Sequence, residues 1–164
     1  MNITFNADEV FEIAEQIERN GAEFYRRAAE MFSDTDSHKL LAELAEWEIQ
    51  HESLFADMRK RVPQGKDDID IIDPDDVAAR YLKAMAGDHV FRASSNVEDY
   101  LKGDESIEEV LAKAIQFEKD SIVLFMGMLD LVPDGLGKDG VARILGEEKK
   151  HVVMLSDRLS KLEK

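Results

Sequence analysis

Two sets of residues in this chain repeat at a fixed distance: Glu18, Glu48 and His51 recur as Glu118, Glu148 and His151, an offset of 100. Each set is a lone carboxylate followed, thirty residues on, by a Glu-x-x-His. On a helix, residues three apart lie one turn apart on the same face, so a Glu-x-x-His can share one cation. Two such sets facing each other bring four carboxylates and two imidazoles to one point. That is the donor set of a two-metal site inside a four-helix bundle.

The hydrophobic pattern supplies the bundle. A first amphipathic segment runs from about Ala7 to Phe32, with Asn6 and Glu9 spaced as a capping box, and its seam reads Phe11, Ala14, Glu18, Gly21, Tyr25, Ala28, Phe32. A second, from about Ser37 to Arg61, reads Leu41, Leu44, Glu48, His51, Phe55, Met58 and then Val62. A third opens with Ser106 and Glu109 as another capping box and carries Leu111, Ala114, Glu118, Ser121, Phe125 and Met128. A fourth, from about Lys138, carries Val141, Ile144, Glu148, His151 and Leu155. Steps of three and four mark the buried stripe of a bundle helix. The six polar candidates therefore sit on the apolar seams, where an unpaired carboxylate costs several kcal/mol and four together need protons or cations.

Register agrees. Glu18 and Glu48 are equidistant from Ser33 in the turn-like stretch Ser33-Asp34-Thr35-Asp36, and Glu118 and Glu148 from Pro133 beside Asp134-Gly135. Antiparallel helices joined there place each pair at equal depth, about 22 Å from its turn. The expected fold is all-α: two antiparallel hairpins joined by a long crossover, about 63–104, that holds a short helix from Asp75 to about Ala86 with Pro74 at its start. Val97 to Lys102 adds a further turn, and residues 1–164 form one domain. Shared Ala14/Ala114, Gln16/Gln116 and Ala42/Ala142 extend the repeat toward an internal duplication.

Composition removes several classes of function. The chain has no cysteine, which excludes disulfides, zinc–thiolate sites and cysteine-held iron within it. A net charge of −15 makes nucleic acid and anionic membranes poor partners. No apolar run approaches the roughly 20 residues that span a bilayer. The opening MNITFNADEV lacks the parts of a signal peptide, so the expected location is cytoplasmic.

The stretches IERNGAEFYRRAAE, AEWEIQHESLF, IQFEKDSIVLF and GEEKKHVVMLSDRL cover all four main helices, and with them the chain resembles the ferritin-like superfamily, specifically rubrerythrin-type di-iron domains. The resemblance implies bridging roles for Glu48 and Glu148, terminal carboxylates at Glu18 and Glu118, and one nitrogen each from His51 and His151. The family's Glu-x6-Tyr matches Glu18 and Tyr25; Tyr25 reads equally as a hydrogen-bond donor to a ligand carboxylate and as a core aromatic. Three departures stand out. The cysteine-held rubredoxin-like module is missing, the further carboxylate one turn after the third-helix ligand is replaced by Ser121, and Phe125 stands where the first half has Tyr25.

Carboxylates and imidazoles suit iron or manganese, and two ferrous ions could deliver the two electrons that cleave a peroxide bond. The expected cofactor is two iron ions, with manganese or zinc as alternatives; zinc would leave the site redox-silent. The resemblance implies a non-haem di-iron oxidoreductase that reduces H2O2 or O2 with an external electron donor, in a homodimer or higher homo-oligomer. A ferroxidase or iron-handling protein is the alternative, and a structural bundle with a redox-silent site the third reading. His38 and His89 lack the preceding Glu and read as surface groups. Glu43, Glu46, Glu52, Glu147 and Lys149 read as solvated helix faces with salt bridges, and Trp47 as packing at a helix or subunit contact.

Overall fold

In the computed structural model, residues 7–33, 36–63, 77–88 and 96–162 are described. Four helices of 25 residues dominate: α1 (Ala7–Met31), α2 (Asp36–Lys60), α4 (Ile107–Leu131) and α5 (Lys138–Leu162). The shorter α3 (Val77–Asp88) and a single 3-10 turn, Val97–Asp99, lie in the connection between the hairpins. The four long helices match the sequence expectation to within a residue or so at each end. Asn6, Asp34 and Thr35, Gly65 with the acidic run that follows it, the Pro74–Asp75 start of the crossover helix, and His89 lie outside the described residues. No described helix is long and apolar enough to cross a membrane.

Direction follows from the ion pairs at the helix ends. Arg59, at the end of α2, grips Asp8 at the start of α1 through Nε and Nη2, at 2.9 and 3.0 Å, so α1 and α2 are antiparallel. Arg158, near the end of α5, donates to Ser37 Oγ at the start of α2 at 2.9 Å, so α5 opposes α2. The turn between α4 and α5 opposes those two. It closes through Leu136 N–H donating to Pro133 at 3.1 Å, with Gly135 at φ 86° and Gly137 at φ 116°. Gly137 also sits against Met58 of α2, where a Cβ would overlap the sulfur. By these contacts α2 and α4 run the same way.

The core is the set of seams that period 3.6 predicts. Phe11, Tyr25, Leu44, Phe55, Leu111, Phe117, Phe125, Ile144 and Leu155 are fully buried. Ring contacts knit the halves together: Phe55 meets Phe125 at 5.1 Å and Phe11 at 6.5 Å. The start of α4 is capped as its sequence indicated. Ser106 Oγ accepts from Glu109 N–H at 3.2 Å, and Glu109 Oε2 accepts from Ser106 N–H at 2.8 Å.

Just before that cap, Glu105 fixes the end of the crossover. It accepts from the backbone N–H groups of Lys102 and Gly103, both at 3.0 Å, and from Lys113 Nζ at 2.9 Å, while Lys113 also donates to the Tyr100 carbonyl at 2.8 Å. The Lys113 ammonium foremost, with the backbone donors and against the opposing effect of burial, holds the Glu105 carboxyl down at about 2. A depressed folded-state value contributes stability above the ordinary 4.5 that is lost as pH falls through about 2. Glu105→Gln is expected to lower Tm at pH 7 by about 3–8 °C, from charge-assisted bonds worth roughly 1.5–3 kcal/mol. That difference should shrink steadily between pH 4.5 and 2 in calorimetric scans of the two proteins.

Candidate metal centre

The ligand candidates occupy helix middles, the part of each helix farthest from fraying ends. Glu48 is the central residue of α2, and Glu18, Glu118 and Glu148 lie within two residues of the centres of their helices. All four carboxylates are 0% exposed and both imidazoles 3%. The structure brings all six together. Glu18, Glu48, His51 and Glu148 form one nest and Glu48, Glu118, Glu148 and His151 a second, each with its ligand atoms within 4.8 Å of one another. Glu48 and Glu148 belong to both nests.

Both histidines aim Nδ1 into the cluster. His51 Nδ1 stands 3.5 Å from Glu18 and 2.7 Å from Glu148; His151 Nδ1 stands 3.5 Å from Glu118, 3.5 Å from Glu48 and 2.9 Å from Glu148. The rings lie 5.6 Å apart and nearly parallel. Each nest thus repeats the other about an approximate two-fold axis, as the offset in sequence indicated.

The donor chemistry calls for cations. Both oxygens of Glu18, both of Glu48, Glu118 Oε2, Glu148 Oε1 and His51 Nδ1 are buried and make no aligned hydrogen bond. Burial drives the carboxyls of Glu18, Glu48 and Glu118 well above their ordinary value, and their mutual repulsion adds to it. Burial alone would pull the histidines down. The surrounding carboxylates, Glu148 foremost for His51 and Glu118 for His151, outweigh it and raise them to about 9 and about 12. Burial also opposes ionisation of Glu148, yet hydrogen bonds, including those with both histidines, lower it. Protons on the imidazoles stand in for the charge that metal ions would bring.

Three neighbours complete the surroundings. The buried Tyr25 hydroxyl donates to Glu118 Oε1, so its role is that of a donor as well as a core ring. Glu147, read from the sequence as a solvated face with salt bridges, does pair with Arg143 Nε at 3.1 Å, and it also meets His51 Nε2 at 2.8 Å. The ligand-like signal for Glu147 was absent because helix periodicity points it outward; only the facing helix brings His51 to it. Trp47 packs at a helix contact, as expected, and its partner is His151 itself, stacked at 5.1 Å with an 8° interplanar angle. His38 is half-buried and bonds the Ala29 carbonyl at 2.8 Å, away from the cluster. Close packing seals the centre: a Cβ on Gly21 would lie 2.9 Å from Phe117 Cε1 and 3.2 Å from Glu48 Oε2. On the α2/α5 side a pocket of about 240 Å³ reaches the site, lined by Trp47, Glu147, Lys150 and His151 among others.

Comparison of the fold decides what bundle this is. A crystal structure of a protein described as ferritin-like and diiron-carboxylate, from Thermotoga maritima, superposes with a TM-score of 0.73 at 25% identity, covering 96% of each chain. This is a ferritin-like bundle. No protein-family model and no curated protein sequence matches it. The ferritin-like assignment therefore stands on the fold and on the buried carboxylate–histidine cluster together.

Two outcomes follow from a ferritin-like core that gathers this much charge. Glu48→Gln keeps the shape and removes one buried carboxylate, so the metal-free variant is expected to unfold about 2–8 °C higher than the parent. The rise in Tm on anaerobic Fe(II) addition should disappear in the same variant, and calorimetry with and without Fe(II) checks both halves. The pH dependence has a definite sign. Folded-state values raised above the unfolded ones give stability that is full below 6.5 for His51 and His151 and lost as pH climbs through about 9 and about 12. The raised Glu18, Glu48 and Glu118 act in the same direction. The metal-free protein should therefore lose stability from pH 6 to 10, whereas metal binding, which releases these protons, tightens. The gap in Tm between metal-loaded and metal-free protein is expected to widen across that range.

Proposed function

We propose that this protein is a non-haem di-iron carboxylate oxidoreductase that reduces H2O2 or O2 with electrons from an external donor. The observation that carries the reading is the pair of overlapping nests sharing Glu48 and Glu148, because shared carboxylates hold two cations close enough to act on one small oxidant. Two ferrous ions held there would supply two electrons, enough with two protons to take H2O2 to two waters or O2 to H2O2. The likeness to a protein described as diiron-carboxylate supports iron over zinc, as do the hard donors and the lack of thiolates.

The chain's own groups perform the supporting work. Glu48 and Glu148, which belong to both nests, would be shared by the two cations, with Glu18 and His51 completing one nest and Glu118 and His151 the other. Glu147 accepts the His51 Nε2 proton, which leaves the Nδ1 lone pair directed at a cation. Tyr25 orients Glu118 through its hydroxyl. Phe117 and Phe125 are fully buried among the helices that carry the carboxylates, and the pocket of about 240 Å³ beside His151 is the side from which a small oxidant would approach. The four-helix bundle holds no cysteine, and in this reading its electrons come from a donor outside the bundle.

Stopped-flow mixing of Fe(II)-loaded protein with H2O2 and with O2, combined with metal counting, tests the proposal. Two irons per chain, fast oxidation by one of these oxidants and sustained turnover with a chemical reductant are expected, without net iron uptake. Oxidation of many irons per chain would replace this reading by a ferroxidase. Recovery of zinc alone, even after anaerobic Fe(II) loading, would remove the redox reading altogether.

A further inference from the structure

The two nests repeat their ligands and differ in what stands behind them. In the first, His51 has a carboxylate at its far nitrogen: Nε2 lies 2.8 Å from Glu147 Oε2. A carboxylate in that position fixes the tautomer and makes the metal-facing nitrogen a stronger donor. The residue at the equivalent position in the first half of the repeat is Trp47, which an offset of 100 pairs with Glu147. An indole has an N–H donor and no acceptor, so it cannot polarise His151 in this way. It stacks on that ring instead, at 5.1 Å.

A second difference falls on the carboxylates. Tyr25 donates to Glu118 Oε1, which draws charge from that oxygen and competes with a cation for it. The residue paired with Tyr25 is Phe125, which has no hydroxyl to offer Glu18. No hydroxyl reaches either oxygen of Glu18, and neither makes an aligned hydrogen bond; the nearby imidazole nitrogen, His51 Nδ1, stands 3.5 Å away. The two differences arise at separate ligands, one strengthening the first nest and the other weakening the second. They act with the same sign.

We infer that the Glu18–Glu48–His51–Glu148 nest takes the first divalent cation and the Glu48–Glu118–Glu148–His151 nest fills second, with Glu147 and Tyr25 as the positioning residues that set the order. The inference rests on the two-cation centre of the proposed function, but not on its redox chemistry. Repulsion between two ions would by itself separate the two steps; it would not choose which nest goes first. Trp47 makes that choice visible. It is the one tryptophan of the chain and touches the histidine of the second nest, so its emission reports on that nest.

The test is an anaerobic titration of the metal-free full chain with Fe(II), following heat and Trp47 emission together. Two steps of one ion per chain are expected, with emission quenched in the second. His51→Ala should remove the tight step, whereas His151→Ala should keep it and lose the weak one. Glu147→Gln should weaken the first step by about 10-fold, and Tyr25→Phe should tighten the second, both narrowing the ratio of the two constants. Quenching complete within the first equivalent, or a ratio unmoved by both Glu147→Gln and Tyr25→Phe, overturns the order. Failure to bind any Fe(II) would instead bring down the two-cation centre and this inference with it.

Discussion

Four carboxylates buried at one level of an apolar interior repel each other with nothing but protons to oppose them, and the rest of the architecture answers that constraint. A lone buried carboxylate costs several kcal/mol, and a second at close range adds Coulomb repulsion that low polarisability does little to screen. The chain does not relieve this by turning the groups outward. It holds Glu18, Glu48, Glu118 and Glu148 fully buried, with most of their oxygens lacking hydrogen bonds. Such an arrangement is stable only because helix packing above and below it is extensive enough to outweigh the local cost. A site of this kind is kept for what it binds.

The bundle is shaped to bear that cost. All four long helices have the same length, and each carries its carboxylate near the middle, so roughly three turns of apolar packing lie on either side. The rings of Phe11, Phe55 and Phe125 fill one stretch of that packing, and Phe24, Tyr25 and Phe117 another. Charge on the outer surface adds clamps at the ends, such as Arg59 on Asp8 and Arg158 on Ser37, that fix helix direction without entering the centre. Direction matters because the equal depth of the ligands exists only for antiparallel hairpins. The clamps and the turn at Pro133 thus set the register on which the cluster depends.

Most of this was legible in the sequence because it follows from periodicity. The seams, the helix bounds, the Ser106–Glu109 cap and the convergence of the six ligand candidates all come from spacing along a single helix or symmetry about a turn. The partner of Glu147 at the site, and which residue Trp47 packs on, were not legible, because both depend on a facing helix. Glu147 and Trp47 each sit beside a glutamate shared by the two nests, off the seam, where residues usually meet solvent. Only the packing of α2 against α5 puts Glu147 on His51 and Trp47 on His151. Tyr25 was ambiguous for a related reason: its place on the seam fixed its burial, while the direction of its hydroxyl needed α4.

The departures from the repeat are therefore more informative than the repeat. Identical halves would give two cation positions of equal character, which suits holding a pair of ions and gives neither a distinct task. Here the six candidate ligands recur in both halves, whereas Glu147 faces Trp47 across the sequence offset, Tyr25 faces Phe125, and Gly21 faces Ser121. Each change leaves the six ligands untouched and alters only what touches them. Gly21 opens room for the Phe117 ring beside Glu48, and Ser121 is buried on the opposite side of the axis. Because ligand atoms must stay within a few ångströms of the ions, they have little freedom to differ. The shell behind them has more, and it is there that one symmetric donor set can be given two unequal ends.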